Sequence, residues 1–280
     1  MKSAANDWNG KLGGKWAQHR AWLDSWLEPF GQAALRAAAP VKGEHVLDIG
    51  CGAGASTAEL AEFVGTNGAV LGVDISQALI TEAQALHSAP QLGFRLADAS
   101  RGDLDDVAPV DLIFSRFGVM FFDEPLAAFA RLRERLKPGG RLAFVCWQAE
   151  EGNDWAQLPL TAIKGIVPTL PSRTGVPGPF AFGDVDYVNG ILNGAGFTNI
   201  QIKPFEQTIP FGRGATKTEA VDNALAMAFE VDPLSRALKD QPQHVRDRAA
   251  DAVRAAFERR AGPTSVEIIG ATWIVTANRP

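Results

Sequence analysis

The sequence predicts an α/β protein on a doubly wound, mostly parallel sheet, and three observations carry that reading. Between residues 45 and 147, five short apolar runs of strand length alternate with helical patterns. Three of those runs close on polar residues, at Asp74, Asp98 and Ser115-Arg116. The first is followed at once by "GCGAG" (50–54) and a helix. Apolar runs without polar alternation belong to strands covered on both faces, as in a parallel sheet between two helical layers.

The elements follow in order. Trp16, Trp22, Leu23, Trp26, Leu27 and Leu35 recur at helical spacing over 15–38, so an amphipathic helix is expected there, broken near Pro29. Val46–Ile49 is the first strand, and Ala58, Leu60, Ala61 and Val64 line a helix over 55–64 that Gly65 stops. "AVLGVDIS" (69–76) is the second strand; its Ser76 is placed to cap a helix with a core face of Leu79, Ile80, Ala83 and Leu86. "GFRLADAS" (93–100) and "VDLIFSRFG" (110–118) are the third and fourth strands. Asp123 and Pro125 open a helix that "KPGG" ends, and "RLAFVCW" (141–147) is the fifth strand.

Beyond it the pattern loosens. A helix is expected over 154–166, then a Pro/Gly-rich loop over 168–183 suited to a mobile lid, then a helix capped by Asp184. A sixth strand (197–204), helices over 216–262 and a last strand (265–277) follow. The expected organisation is an N-terminal helical segment over the ligand site (1–40), an α/β core (41–149), a cap insertion (150–183), completion of the sheet (184–212 and 263–280) and a helical cap insertion (213–262). A parallel sixth strand would place both insertions at the carboxyl edge of the sheet, where open α/β sheets bind ligands.

Composition narrows the partners. The net charge is −5, and the one basic cluster, around Arg254, Arg259 and Arg260, is interleaved with acids as on a solvated helix face. Nucleic acid is therefore not expected as a partner. Cys51 and Cys146 give neither a disulfide framework nor a metal spacing, and the Asp103, Asp105 and Asp106 run reads as a solvated loop, so no metal is expected. No secretion signal and no apolar stretch of membrane-spanning length is seen, which makes the cytoplasm the expected location. A homodimer is an open alternative.

A strand, then Gly50-Cys51-Gly52-Ala53-Gly54, then a helix, lets a ligand approach the backbone closely. A dinucleotide turn would carry its third glycine at 55, where Ala55 stands, and this spacing alone leaves the choice open. The acids weigh more. Asp74 can accept both hydroxyls of a ribose, and Asp98 with Ala99 can hold an adenine edge. Asp48, just before the glycines, would repel a pyrophosphate and suit a ligand bearing an ammonium group.

"VLDIGCGAG", "GVDIS", "LADA", "SRFGVMFF" and "LKPGGRL" resemble, in order and spacing, the motifs of class I S-adenosylmethionine-dependent methyltransferases. "WNGKLGGKW" and "SRFGVMFFDEP" look most like the bacterial small-molecule members of the ubiquinone/menaquinone-biosynthesis type. The resemblance covers about 6–148 and, more loosely, the last strands. It implies a seven-stranded Rossmann-like sheet whose last strand lies antiparallel between the fifth and sixth, and S-adenosyl-L-methionine as cofactor. It implies that Gly50, Cys51, Gly52 and Gly54 meet the methionine part, that Asp48 shapes that end, and that Asp74 with Ile75 binds the ribose. Asp98 and Ala99 would take the adenine, Ser115, Arg116 and Phe117 would lie near the sulfonium, and Trp16 would close over the methionine end.

The expected activity is in-line methyl transfer to a small hydrophobic or aromatic molecule. The expected wall for it is Phe117, Met120, Phe121, Phe122, Trp147, Trp155, Phe180 and Phe182. The sequence shows no clear general base; His19 on the N-terminal helix is the weak candidate. The rival readings are a protein that binds the cofactor without transferase chemistry and an NAD(P)-dependent oxidoreductase on a related sheet.

Overall fold

A computed structural model describes residues 8, 14, 18–168, 173–231 and 233–280. Among these the elements run α1 (Arg20–Ala38), β1 (His45–Ile49), α2 (Ala55–Val64), β2 (Ala69–Asp74), α3 (Gln77–Leu86), β3 (Leu92–Leu96), β4 (Val110–Arg116), α4 (Pro125–Glu134) and β5 (Leu136–Trp147). They continue as α5 (Asp154–Ala162), α6 (Val185–Gly194), β6 (Thr198–Arg213), α7 (Lys217–Glu230), α8 (Leu234–Leu238), α9 (Gln243–Arg260) and β7 (Ser265–Asn278).

The strands form one seven-stranded sheet in the order β3-β2-β1-β4-β5-β7-β6. β1 lies between β2 and β4, parallel to both, and Asp48 stands level with Gly72 on one side and Phe114 on the other. β3 and β5 extend the parallel set. β7 runs the other way: Gly139 N donates to Arg279 O and Arg279 N to Gly140 O, while Gln148 N donates to Ala271 O. Towards β6, Thr198 Oγ1 donates to Asn278 O and Thr272 Oγ1 to Phe205 O, again a register of opposite sense. The predicted architecture, with an antiparallel last strand between the fifth and sixth, is therefore the one observed.

The apolar runs become the core because both sheet faces are covered. Leu47, Ile49, Leu112, Phe114 and Phe144 are essentially without solvent exposure, and Leu60, Ile80 and Phe129 meet them from the helices. Phe129 stacks on Phe144 with ring centroids 5.7 Å apart. Burying each side chain of this size contributes about 1.5–3 kcal/mol.

Several boundaries differ from expectation for physical reasons. α1 runs through Pro29 without a break. An interior proline costs a helix about 3 kcal/mol, and the buried face of Trp26, Leu27, Phe30, Ala33 and Ala34 offsets it. β5 starts at Leu136, not after "KPGG", because Gly139 and Gly140 pair with Arg279. Asp184 caps α6 by accepting from Asp186 N and Tyr187 N, whereas the Ser76 side chain caps nothing. α5 ends at Ala162, the sixth strand reaches Arg213, and the stretch over 216–262 is three helices interrupted beside Pro233 and Pro242.

The chain divides into two compact units: residues 1–146 with 174–205 and 272–280, and residues 147–173 with 206–271. The second takes in more than the insertions expected over 150–183 and 213–262, while 174–183 belongs to the first. Within the second unit α9 packs on α5 and α7. Phe211 meets Phe257 there at 5.9 Å, and Asn153 both donates to Ala271 O and accepts from Ala271 N.

Candidate functional site

The site lies at the carboxyl ends of β1–β4 in the first unit, at the point where the order of the strands reverses between β1 and β4. Leaving β1, the chain turns through Gly50 at φ 67°, Gly52 at φ 57° and Gly54 at φ 89°. Gly50 and Gly118 bring the loops after β1 and β4 together backbone to backbone. A Cβ on Gly50 would stand 2.8 Å from Gly118 Cα, and one on Gly118 would stand 2.7 Å from Ile49 O. Ser115 locks the same junction, its buried hydroxyl donating to Ile49 O at 2.8 Å and accepting from Gly118 N at 3.2 Å.

Above this junction opens a cleft with about 1120 Å³ of empty space, its mouth included. The wall includes Gly50, Cys51, Gly52, Asp74, Ile75, Asp98, Ala99, Phe117 and Phe121, so these expected residues converge on one space. A Cβ on Gly52 would meet nothing within 4 Å, and the Gly52 N–H donates to Asp74 Oδ2 at 2.9 Å. Asp74 Oδ1 accepts from Ser76 N at 2.8 Å. Burial raises the Asp74 pKa, and the backbone N–H groups of Ser76 and Gly52 pull it back. Each Asp74 oxygen thus keeps an acceptor site for a ligand hydroxyl. Asp98 is more committed: Oδ1 accepts from Ser100 N and Oγ, and Oδ2 pairs with Arg101 Nε at 2.9 Å.

Other expected site residues lie away from this wall. Asp48 is fully buried beneath the glycine turn, where its Oδ2 accepts from Ser56 Oγ and Thr57 Oγ1, each at 2.7 Å. Burial lifts its pKa from 3.8 to about 6, against the two hydroxyls and the charge of Arg116. Repulsion of a pyrophosphate by an Asp48 at the ligand surface is therefore not a property of this site. Gly54 faces Phe94 and His87, whose side chains a Cβ would meet at 2.7–2.9 Å. Met120 is buried, and its carbonyl accepts from Gly178 N. Phe182 is core, packed on Phe129 and Phe144, and Phe180 is likewise buried off the wall.

Trp147 and Trp155 belong to the second unit and pack on each other at 5.4 Å. His19 precedes α1, where its carbonyl receives Trp22 N and Leu23 N, and it does not line the cleft. Trp16 and the stretch 169–172 near the start of the expected lid lie outside the described residues. The Cys51 thiol, on the wall, is pushed well up by burial and then by the charges of Asp48 and Asp74, so it stays protonated.

Sequence reasoning expected a helical segment over the site but missed which residues of α1 line it. Arg20, Leu23, Asp24 and Leu27 share one helical face and line the cleft. Further along that face Gly31 leaves room for the Arg116 stem, whose Cδ would stand 2.9 Å from a Cβ there. Arg116 Nη2 pairs with Asp24 Oδ1 at 2.6 Å, and Arg20 Nε with Glu82 Oε1 at 2.8 Å. The signal was present as the i, i+3, i+4, i+7 spacing of Arg20, Leu23, Asp24 and Leu27. Trp8 joins the wall by an edge-to-face contact with Phe121 at 5.1 Å. Phe117 is held at φ 60°, unusual for an aromatic residue, while its N–H donates to Val145 O.

Residues 46–140 match a family model described as a methyltransferase domain. The segment is thus similar to methyltransferase domains. Its residues carry β1–β4, the glycine turn and the two acids on the cleft wall. Among curated proteins the chain is 38% identical over 122 residues to aklanonic acid methyltransferase of Streptomyces sp. (strain C5), covering 41% of this chain and 54% of that protein. The chain thus spans about half the length of that relative.

Among solved structures, a candidate methyltransferase of Bacillus halodurans C-125 superposes with a TM-score of 0.56 at 18% identity, over 89% of this chain and 98% of that one. Phosphoethanolamine N-methyltransferase 2 of Haemonchus contortus, solved with S-adenosyl-L-methionine, gives 0.56 at 17% identity, over 100% of this chain and 60% of that one. At such identities the two structures speak for the fold alone. No described helix is long and apolar enough to cross a membrane.

Proposed function

We propose that the protein transfers a methyl group from S-adenosyl-L-methionine to a small hydrophobic or aromatic molecule held in this cleft. The observation that carries the reading is that the segment similar to methyltransferase domains has its glycine turn and Asp74 on one wall of one cleft. The residues suit the cofactor. Gly52 leaves open space where a side chain would stand, and Asp74 keeps two acceptor sites beside it for a ribose diol. Ala99 and Asp98 would border the adenine, with Asp98 offering mainly its Oδ2 because Ser100 occupies Oδ1.

The cofactor supplies a methyl group on a sulfonium, which leaves by in-line displacement. The chain supplies position and dryness. Holding an acceptor in line can be worth roughly 7–11 kcal/mol of barrier in favourable cases. Phe117, Phe121 and Trp8 present apolar surface that excludes water and aromatic faces that favour a nearby cation.

Calorimetry with S-adenosylmethionine, its demethylated product and NAD tests the reading. We expect the first two to bind and NAD not to; binding of NAD alone would overturn it. Transfer of labelled methyl into a panel of phenols, quinols and amines then separates an enzyme from a binder.

A further inference from the structure

One pair on the cleft wall has no part in binding the cofactor as described above: Arg116 at the end of β4 and Asp24 on α1. Their contact is single, Nη2 to Oδ1 at 2.6 Å, and both side chains keep some exposure, 16% and 28%. Both line the cleft. Among the described residues Arg116 Nε and Nη1 have no hydrogen-bond partner, and neither has Asp24 Oδ2. The pair therefore leaves several guanidinium donors and one carboxylate acceptor unfilled on a wall that both residues line. The next residue, Phe117, begins the aromatic part of the wall.

Resting on the methyltransferase reading, we propose that this pair selects and activates an oxygen nucleophile: the methyl acceptor is a phenol or enol whose hydroxyl donates to Asp24 Oδ2 while its oxygen accepts from the Arg116 guanidinium. The hydroxyl proton passes to Asp24 as the oxygen lone pair forms the new bond to the methyl carbon. The carbon–sulfur bond breaks, and its electron pair stays on sulfur. A sulfonium, a neutral phenol and an ionised Asp24 become a thioether, an aryl methyl ether and a protonated Asp24, which then releases its proton to water. Negative charge moves from Asp24 toward the acceptor oxygen and is cancelled with that of the sulfonium as the methyl arrives, so Arg116 faces an anion up to and during the transfer and the step separates no charge. An ammonium acceptor would instead sit against a guanidinium, which disfavours it.

Other charges share this region: Arg20 on α1, tied to Glu82; Asp48 beneath the turn; Glu59 on α2; and Asp74, Asp98 and Asp123 on the wall. The acids oppose an anion at the acceptor position, so Arg116 is the group that must favour it.

4-Nitrophenol tests the proposal without turnover, because its ionised form absorbs visible light and its neutral form does not. It is titrated with pH on the wild type, R116Q, R116K and D24N, with and without the demethylated cofactor. Relative to the wild type, the pKa of the bound phenol should rise by at least about one unit in R116Q, hold in R116K and fall in D24N, the shifts expected from removing an opposite or a like charge at contact distance. Opposite shifts from two adjacent residues cannot come from misfolding. The proposal is overturned if nitrophenol does not bind the wild type, or if the neutralising variants leave its ionisation unchanged. It is also overturned if R116Q instead loses tenfold or more in affinity for the demethylated cofactor, which would assign the guanidinium to that molecule's carboxylate. Failure of the wild type to bind the demethylated cofactor would count against the methyltransferase reading, and the titration without it would still decide the pair.

Discussion

Asp48 and Asp74 stand on adjacent strands and look alike in the sequence, an acid within or at the close of an apolar run, yet they serve opposite sides of the glycine turn. Beneath the turn, Asp48 is sealed and bonded to two hydroxyls of α2. On the cleft side, Asp74 is anchored by two backbone N–H groups and keeps acceptor capacity toward the open space. One acid fastens the turn to the helix behind it, and the other is available to a ligand. The lesson is that an acid beside a glycine turn has no role until its direction is known, and direction is a matter of register within the strand.

The largest effect should come from the turn that separates them. Gly50→Val combines left-handed strain with a clash against the Gly118 backbone, about 3–5 kcal/mol together. Urea unfolding should show this loss, and a loss below 1 kcal/mol would mean the two loops part easily.

Next is the pH dependence of the buried acid. With a folded pKa raised from 3.8 to about 6, Asp48 holds its proton in the folded chain over a range where the unfolded chain has lost it. Its contribution to stability is therefore greatest below pH 3.8, declines as pH rises to about 6, and is constant above. The decline is at most roughly 3 kcal/mol. Asp48→Asn should remove that slope, gaining stability relative to the wild type between pH 4 and pH 7. Parallel slopes for the two proteins would show that Asp48 is ionised at no cost.

The cleft-side partner of the comparison should act on ligand more than on fold. Asp74→Ala should weaken binding of the demethylated cofactor at least about tenfold, with a stability loss of about 1 kcal/mol for each of the two N–H groups left behind. Calorimetry beside urea unfolding separates the two, and unchanged affinity would move the ribose elsewhere. The smallest effect belongs to Arg101, 68% exposed in its pair with Asp98. Arg101→Ala should cost no more than about 0.5 kcal/mol and leave affinity within twofold; a larger loss would make Asp98 depend on its partner for orientation.

Much of the fold was legible because its signals are local. Apolar runs, glycine and proline punctuation and the Asp184 cap depend on residues a few positions apart, and a buried parallel strand leaves little else for its sequence to say. The cleft was legible where backbone position alone places a residue, as for Gly50, Gly52, Asp74, Asp98 and Ala99 at strand ends. It was not legible where several aromatic residues could equally face ligand or core. Met120, Phe180 and Phe182 turn inward and Phe121 and Phe122 line the cleft, a choice made by rotation about short turns and by neighbours such as Phe129.

The sequence by itself determined the alternation of strands and helices, the turn after β1 and the acids at the ends of β2 and β3, since each follows from residue spacing along the chain. Only the tertiary structure decided that Asp48 points under the turn, that α1 brings Asp24 to Arg116, and that Gly50 and Gly118 touch. The last two join residues 92 and 68 positions apart, and such contacts are fixed when helices pack on the sheet and close space that no local pattern describes.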